Sequence, residues 1–120
     1  MNQITTQYVT ENGACYEQYV ITDPAAKTSL TITPERGGMI TGFTLDGDEY
    51  IWTRRPNFSE CNRPRFGIPV LFPNCGLPDN GVHIFDGKAY PMENHGFADL
   101  CAWEVDSVGP DGVTLALEST

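Results

Sequence analysis

The chain has 120 residues with 40% hydrophobic and 19% charged side chains, a balance typical of one globular domain that argues against disorder. Sixteen acidic residues against seven basic ones give a formal net charge of −9, which disfavours nucleic acid and anionic membrane surfaces as partners. No run reaches the length of a membrane span and residues 1–13 lack a secretion signal, so we predict a cytoplasmic protein.

Alternation of apolar and polar residues dominates the chain, and no window carries the apolar stripe of an amphipathic helix. Aromatic and β-branched residues over Ala14–Thr22 predict a first strand, and the alternating stretch Thr28–Thr33 predicts a second. Turn-forming residues occupy positions 23–27 between them, so we expect these two strands to form a hairpin.

A second hairpin is predicted where Gly37 and Gly38 precede the apolar stretch 39–45, which leads through an Asp-Gly turn into a strand over 50–53. The following residues, 54–65, are rich in proline and asparagine, and this composition predicts a long surface loop. Long loops in compact domains tend to carry function, so this segment is a candidate part of a binding site.

Two more hairpins are predicted in the second half of the chain. An Asp-Gly dipeptide separates Val82–Phe85 from Lys88–Tyr90, which is a strong signal for a two-residue hairpin turn. The last pair of predicted strands covers 101–108 and 112–118, joined by a Gly-Pro-Asp-Gly turn.

These patterns predict an all-β fold, an antiparallel β-sandwich in which residues 1–120 form a single unit. Nothing follows the last predicted strand to cover its apolar face. The residues alone therefore leave two possibilities, a small sandwich that ends abruptly or the front part of a larger one.

The cysteine pattern gives no sign of a metal site or a redox motif, because the four residues contain no C-x-x-C pair. An even number of cysteines is compatible with two disulfides, but the absence of a secretion signal favours four reduced thiols. The residues are Cys15, Cys61, Cys75 and Cys101.

Three motifs follow one another in the second half of the chain: RFGIPVLFPNCG from Arg65, FDGKAY from Phe85 and ENHGFAD from Glu93, the last followed by Trp103. This series resembles the aldose 1-epimerase family, the galactose mutarotase-like proteins, and especially its branch related to glucose-6-phosphate 1-epimerase. The upstream stretch PERGGMITGFTLDGDEYIW is similar to the opening strands of that family. The resemblance covers residues 30–105 and corresponds to the N-terminal part of the longer family members.

The resemblance implies a galactose mutarotase-like supersandwich that interconverts the α and β anomers of a hexose by acid/base ring opening. This reaction requires no metal and no organic cofactor, and the implied partner is a small-molecule sugar. The general-acid histidine and the glutamate base of the family correspond to positions beyond 120, so we expect this chain alone to be inactive. The oligomeric state is left undetermined.

The chain departs from the pattern of this branch at two positions within the motifs. Phe66 follows Arg65 where the branch usually has glycine. Asp99 stands where the histidine motif has arginine, so that a carboxylate replaces an anion-binding group. The second change argues for a neutral sugar instead of a phosphorylated one.

Five residues are considered for the sugar site, each with a structural alternative. The resemblance assigns His95 to sugar binding and assistance of catalysis near the anomeric carbon; residue type alone favours a loop histidine bonded to a backbone carbonyl. Arg65 would donate paired hydrogen bonds to hydroxyls, or be a solvated loop charge. Asn74 would bind a hydroxyl, or stabilise a turn. Phe97 and Phe72 would present ring faces to the sugar, or belong to the core.

The stretch GIPVLFPNCG, residues 67–76, looks like a buried strand, but Pro69 and Pro73 interrupt it where a ladder needs N–H donors. We interpret it as a rigid segment at the rim of the sheet that forms the floor of a sugar pocket. An edge strand that proline protects from aggregation is the alternative.

Two further functions compete with the epimerase interpretation. A non-catalytic carbohydrate-binding β-sandwich module is favoured by Asp99 and by the missing acid and base. A purely structural β-sandwich that binds no ligand is the third possibility.

Overall fold

The computed structural model describes residues 2–11, 13–52 and 67–118, and over these residues the chain forms antiparallel sheets without any α-helix. The predicted fold class, an all-β antiparallel protein of the β-sandwich type, is confirmed. The described strands are β1 (Gln3–Glu11), β2 (Ala14–Asp23), β3 (Thr28–Thr33), β4 (Met39–Leu45), β5 (Asp48–Glu49), β6 (Val82–Phe85), β7 (Lys88–Pro91), β8 (Glu104–Val108) and β9 (Val113–Ala116).

The first five strands form one antiparallel sheet in the order β1-β2-β3-β4-β5. The predicted hairpin β2–β3 is confirmed, with Thr22 opposite Ser29. Strand β3 also pairs with β4, a pairing that was not predicted, with Ser29 opposite Thr44. Strand β1 was not predicted, although Thr, Ile, Val and Tyr are frequent in it and an Asn-Gly dipeptide follows it. Its pairing with β2 extends from Gln3 opposite Thr22 to Glu11 opposite Ala14.

The strand predicted over 50–53 is wrong for the described residues 50–52, because the pairing with β4 ends at Glu49. The Glu49 carboxylate accepts the backbone N–H groups of Phe43 at 2.8 Å, Tyr50 at 3.0 Å and Ile51 at 3.1 Å. The Tyr50 N–H also donates to the Phe43 carbonyl at 2.9 Å, but the reciprocal donor, the Phe43 N–H, is taken by the Glu49 carboxylate. The next pair of the ladder is therefore only half formed, and the chain leaves the sheet. Position 53 lies outside the described residues.

The second half of the described chain contains two separate two-stranded sheets, β6–β7 and β8–β9. The β6–β7 hairpin is confirmed, and both residues of its turn, Asp86 and Gly87, have positive φ as a type I′ turn requires. Strands β8 and β9 are shorter than the predicted 101–108 and 112–118, and β8 carries an irregularity between Val105 and Ser107.

A row of hydrogen-bonded polar side chains crosses four strands of the large sheet. The Gln7 amide donates to Gln18 at 2.8 Å, and the Gln18 amide donates to the Thr33 hydroxyl at 3.0 Å. The Thr33 hydroxyl also lies 3.1 Å from that of Thr41. Gln18, Thr33 and Thr41 are buried, and each is hydrogen-bonded to its neighbour in the row. The row therefore helps to fix the pairing of the strands, and the hydrogen bonds offset the free energy of burying polar groups.

The apolar core beside this row is small. Met39 is 1% exposed, and Val9 and Tyr16 pack against it. Ile32 and Ala98 are also buried.

The turn between β3 and β4 joins the large sheet to the region around residue 100. The Gly37 N–H donates to the Cys101 carbonyl at 2.9 Å. Gly37 has φ +72°, and a Cβ there would lie 2.4 Å from the carbonyl oxygen of Asp99, so only glycine fits this approach. The contact fixes the 3₁₀ turn Ala98–Leu100 against the sheet.

No helical turn in the described part of the chain has the length and apolarity needed to cross a membrane.

Candidate functional site

Two loop segments meet at the predicted site residues His95, Asn74 and Phe97. We call residues 67–76 the proline segment and residues 93–97 the histidine loop. Phe72 and Gly96 form an isolated parallel bridge between them. The Phe72 carbonyl accepts the N–H groups of Phe97 at 2.9 Å and Ala98 at 3.2 Å. The two segments are therefore held together by backbone hydrogen bonds.

The proline segment is not a regular strand in this structure. It makes single bridges at Ile68, which pairs with Ile40 of β4, and at Phe72. Pro69 and Pro73 each directly follow one of these bridging residues. Proline lacks the N–H that a regular strand would offer at these two positions, which agrees with a segment that forms single bridges and no continuous ladder.

The apolar side chains of the proline segment are not buried as a core strand would require. Ile68 is 47% exposed and Phe72 is 56% exposed. The Phe72 ring meets the half-buried Phe97 ring edge to face, with 6.2 Å between centroids and an interplanar angle of 89°. The two rings pack on each other and still present apolar surface to solvent. This arrangement is compatible with a packing role and with contact to a sugar ring.

Gly96 allows the histidine loop to approach the proline segment closely. Its φ is +73°, and a Cβ there would lie 2.2 Å from the carbonyl oxygen of Phe72. Such a distance is far inside van der Waals contact, so only glycine fits this position. The structure thus gives a steric explanation for the glycine that follows His95 in the sequence motif.

His95 has an unusual backbone conformation and a fixed side chain. Its φ is +71°, a region that residues with a Cβ rarely occupy, and its ring is half-buried. Nδ1 is hydrogen-bonded to the Cys75 carbonyl, and the His95 N–H points to the Gly76 carbonyl at 3.4 Å. Because a carbonyl oxygen only accepts, the proton of the neutral ring lies on Nδ1.

This contact leaves Nε2 of His95 as the available ring nitrogen. No group of the described residues donates to it or accepts from it. In the neutral ring, Nε2 carries a lone pair that can accept a hydrogen bond from a hydroxyl or take its proton. The carbonyl-bonded loop histidine and the sugar-binding histidine are therefore compatible, because they use different nitrogens.

Asn74 links the two segments from its side chain. Its Nδ2 donates to the carbonyl of Gly76 and, at 3.0 Å, to that of Glu93, so both of its N–H donors are used. Its Oδ1 is buried without a hydrogen-bond partner among the described residues. The contacts of the turn-stabilising alternative are present, and the binding of a sugar hydroxyl by Asn74 stays a prediction.

Asp99, the residue at the arginine position of the motif, lies inside the structure. It is 7% exposed and belongs to the 3₁₀ turn that packs against Gly37. The Trp103 indole N–H donates to the Ala98 carbonyl at 2.9 Å and supports the same turn. The carboxylate thus occupies a buried position next to the site.

Arg65 lies outside the described residues, and so do the neighbouring loop positions 54–64 and Phe66. The expectation that Arg65 and His95 both belong to one sugar site therefore stays a prediction. The described residue Gly67 donates its N–H to the Trp52 carbonyl at 2.9 Å, beside β4. This contact anchors the chain two residues after Arg65.

No cluster of three or more His, Cys, Asp or Glu side chains in the described ranges is placed to hold a metal ion. Cys15, Cys75 and Cys101 are free thiols, and Cys61 lies outside those ranges. A surface hollow on β8–β9 contains none of the candidate site residues. It is lined by Ala102, Glu104, Ala116, Leu117 and Glu118.

The sequence did not indicate the backbone carbonyls of Cys75 and Glu93 as parts of the site. Every residue carries a carbonyl, so residue type gives no sign of which one a side chain will reach. The Asn-Cys-Gly and Asn-His-Gly series were the available hints, since Asn and Gly favour tight turns with positive φ.

The chain matches no protein-family model and no curated protein. Among solved structures, the crystal structure of the Slr1438 protein from Synechocystis sp. PCC 6803 is similar to it, with 34% sequence identity and a TM-score of 0.68. The match covers 75% of this chain and 32% of that one, so the chain spans about a third of the length of this relative. That protein was a structural genomics target, and its description names no activity.

Proposed function

We propose that this chain is the N-terminal, sugar-contacting part of an aldose 1-epimerase-like protein that interconverts the α and β anomers of a neutral hexose. The observation that carries the proposal is the geometry of His95. A strained backbone and a bonded Nδ1 hold its ring with Nε2 available, in a motif that resembles the sugar site of that family. Residues held in rare backbone conformations cluster at functional sites.

Anomer exchange requires two proton transfers. A base takes the proton from the anomeric hydroxyl while an acid protonates the ring oxygen, the bond between the anomeric carbon and the ring oxygen breaks, and an open-chain aldehyde forms. Rotation of the carbonyl group and reversal of both transfers close the ring to the other anomer. The sugar must be held during these steps, since orientation supplies much of the rate.

In this proposal the chain contributes to holding the sugar. Nε2 of His95 accepts a hydrogen bond from a hydroxyl near the anomeric carbon and assists the proton transfer there. The exposed surfaces of Phe72 and Phe97 face the C–H groups of the ring, and Arg65 donates to the hydroxyls. The principal acid and base are not among the residues that match the motifs.

A neutral sugar is preferred for reasons of charge. The chain carries a formal net charge of −9, and Asp99 replaces the motif arginine that would bind an anion. A phosphorylated sugar would therefore meet a repulsive field with one fewer cation to bind it.

The experiment separates binding from catalysis. We expect glucose or galactose to shift the amide signals of residues 95–97 in an NMR titration, and we expect the chain alone not to accelerate anomer exchange measured by polarimetry. His95→Asn, which keeps a residue that tolerates positive φ, should abolish the shifts, whereas the control His83→Asn should not. Rate enhancement that His95→Asn removes would show that the chain itself is catalytic.

A non-catalytic carbohydrate-binding module is the second candidate, favoured by the buried carboxylate at Asp99. Both proposals predict sugar-induced shifts. They differ in whether the full-length protein accelerates anomer exchange, which polarimetry on that protein decides. A chain that shows no shift at high sugar concentration would contradict both proposals and support a purely structural role.

A further inference from the structure

We propose that Asn74 is a positioning residue that keeps the His95 ring in the tautomer with its proton on Nδ1 and its lone pair on Nε2. This inference rests on the proposed function only for its consequence, the binding of a sugar hydroxyl by Nε2. The tautomer itself follows from the contacts of Asn74, Cys75 and His95.

The Asn74 side chain fixes the carbonyl that His95 uses. Its Nδ2 donates to the Gly76 carbonyl, so a side-chain hydrogen bond closes a small turn with Cys75 inside it. The Cys75 carbonyl belongs to the peptide between the two ends of this turn. Its direction is therefore set by Asn74, and it is the acceptor for Nδ1 of His95.

The same side chain fixes the start of the histidine loop. Its second N–H donates to the Glu93 carbonyl at 3.0 Å, a contact across 19 residues of sequence. The Glu93 carbonyl also accepts the Gly96 N–H at 3.0 Å, which closes the turn that contains His95. The Asn74 amide group thus stabilises both the loop that carries the His95 ring and the turn that carries the carbonyl accepting the Nδ1 proton of His95.

The chemistry of the amide explains why asparagine is required for this role. Two carbonyl oxygens converge on Nδ2, and an amide nitrogen offers two N–H donors. A carboxylate at this position would offer none and would place negative charge against both carbonyls. Without the clamp, the Cys75 carbonyl turns away and the neutral ring exchanges between its two tautomers.

The test uses the imidazole nitrogen signals in NMR spectra of the whole chain, which contains two histidines. His83 lies exposed on β6 and serves as an internal reference. At a pH where the ring is neutral, we expect a protonated-type signal at Nδ1 of His95 and an unprotonated-type signal at Nε2. Asn74→Ala and Asn74→Asp should move both signals toward the average of two tautomers, with His83 unchanged.

The control is Asn80→Asp, which makes the same change of charge at an exposed residue and should leave the His95 signals as they are. Backbone amide shifts of β1–β5 verify that each variant is folded. The proposal is overturned if a folded Asn74→Ala chain keeps the unaltered His95 pattern. It is also overturned if the unsubstituted chain lacks the Nδ1 proton, a measurement that needs no variant.

Sugar titration of the same samples separates this proposal from the proposed function. We expect Asn74→Ala to weaken sugar binding about twofold, because only about half of the neutral rings would then carry the lone pair on Nε2. A correct tautomer together with no sugar binding would contradict the proposed function alone. Sugar binding that is unaffected in an Asn74→Ala chain with a mixed tautomer would support the positioning role and contradict its consequence, the binding of a sugar hydroxyl by the Nε2 lone pair.

Discussion

His95 and Gly96 are consecutive residues with positive φ, and the candidate site depends on both. Gly96 adopts this conformation without strain, whereas His95 has a Cβ and does so at a cost of about 1–3 kcal/mol. The hydrogen bonds of the Nδ1 atom and of the loop backbone offset that cost. The stability of the loop therefore rests on a glycine that no other residue can replace.

Gly96→Ala should destabilise the chain by about 2–4 kcal/mol, because the new Cβ would overlap the Phe72 carbonyl and also require a strained φ. Gly87→Ala is the matched control, since Gly87 has a similar φ of +76° and open space around its Cβ position. We expect it to cost about 1 kcal/mol. Urea denaturation measures both, and equal losses would show that the close approach at Gly96 is not rigid.

At the level of elements, the hairpin β1–β2 carries a group of polar aromatic residues on one face. Tyr8 and Glu17 are directly opposite each other, and the Tyr8 hydroxyl donates to the Glu17 carboxylate at 3.1 Å. The hydrogen bond to Glu17 raises the pKa of Tyr8, and the negative charge of Glu17 raises it further. Hydrogen bonding to Glu17 also raises the pKa of Tyr19. The carboxylate therefore favours the neutral form of both phenols.

The sign of the pH dependence follows from linkage. The unfolded tyrosines ionise at about 10.0, below their raised pKa values in the folded chain, so the contribution of this group to stability is fully present below pH 10. It is lost as the pH rises through the folded pKa values. Above pH 10, as the unfolded tyrosines lose their protons before the folded ones, the unfolded chain holds fewer protons and the free energy of unfolding falls with rising pH.

Glu17→Gln should move the pKa of Tyr8 and Tyr19 back toward 10.0 and reduce this alkaline loss of stability. The pKa values are read from the tyrosine ring-carbon signals in an NMR titration, and the stability from urea denaturation at neutral and alkaline pH. Glu104→Gln, an exposed carboxylate on β8, is the control for a change of net charge. A Tyr8 pKa that does not fall in Glu17→Gln would contradict the assignment.

At the scale of the whole molecule, the chain exposes more surface than its size predicts. Its accessible area is 7858 Å², whereas a compact monomer of 13.2 kDa exposes about 6,400 Å². Its radius of gyration is 16.2 Å, compared with about 14 Å for a compact domain of this length. Large apolar side chains contribute to this excess, among them Ile84 and Phe85, each 71% exposed on the β6–β7 hairpin.

This surface should bind an apolar fluorescent dye such as anilinonaphthalene sulfonate in the native state, with a several-fold increase in emission over a compact β domain of equal length. The double variant I84T/F85T places β-branched residues at both positions of the strand and should lower the emission without a large loss of stability. Emission from the native chain no greater than that of the compact domain would contradict the exposed apolar surface.

The sequence by itself determined the local elements of this protein. Strand β3, strand β4 and the β6–β7 hairpin were predicted with the bounds that the structure has or within one residue of them, because alternation and turn dipeptides act over a few neighbouring residues. The end of β5 could not be predicted in this way. It depends on the Glu49 carboxylate, which accepts the Phe43 N–H that would otherwise complete the next pair with Tyr50.

Motif order in the sequence identified His95, Asn74 and Phe97 as candidates, but only the tertiary structure decided what each one contacts. The bond from His95 to Cys75 joins residues 20 apart, and the bond from Asn74 to Glu93 joins residues 19 apart. Both acceptors are backbone carbonyls, which every residue carries. The residue type provides an imidazole at position 95, which can donate and accept hydrogen bonds. The packing of one loop on the other decides that Nδ1 is bonded to a carbonyl and that Nε2 is available for a ligand.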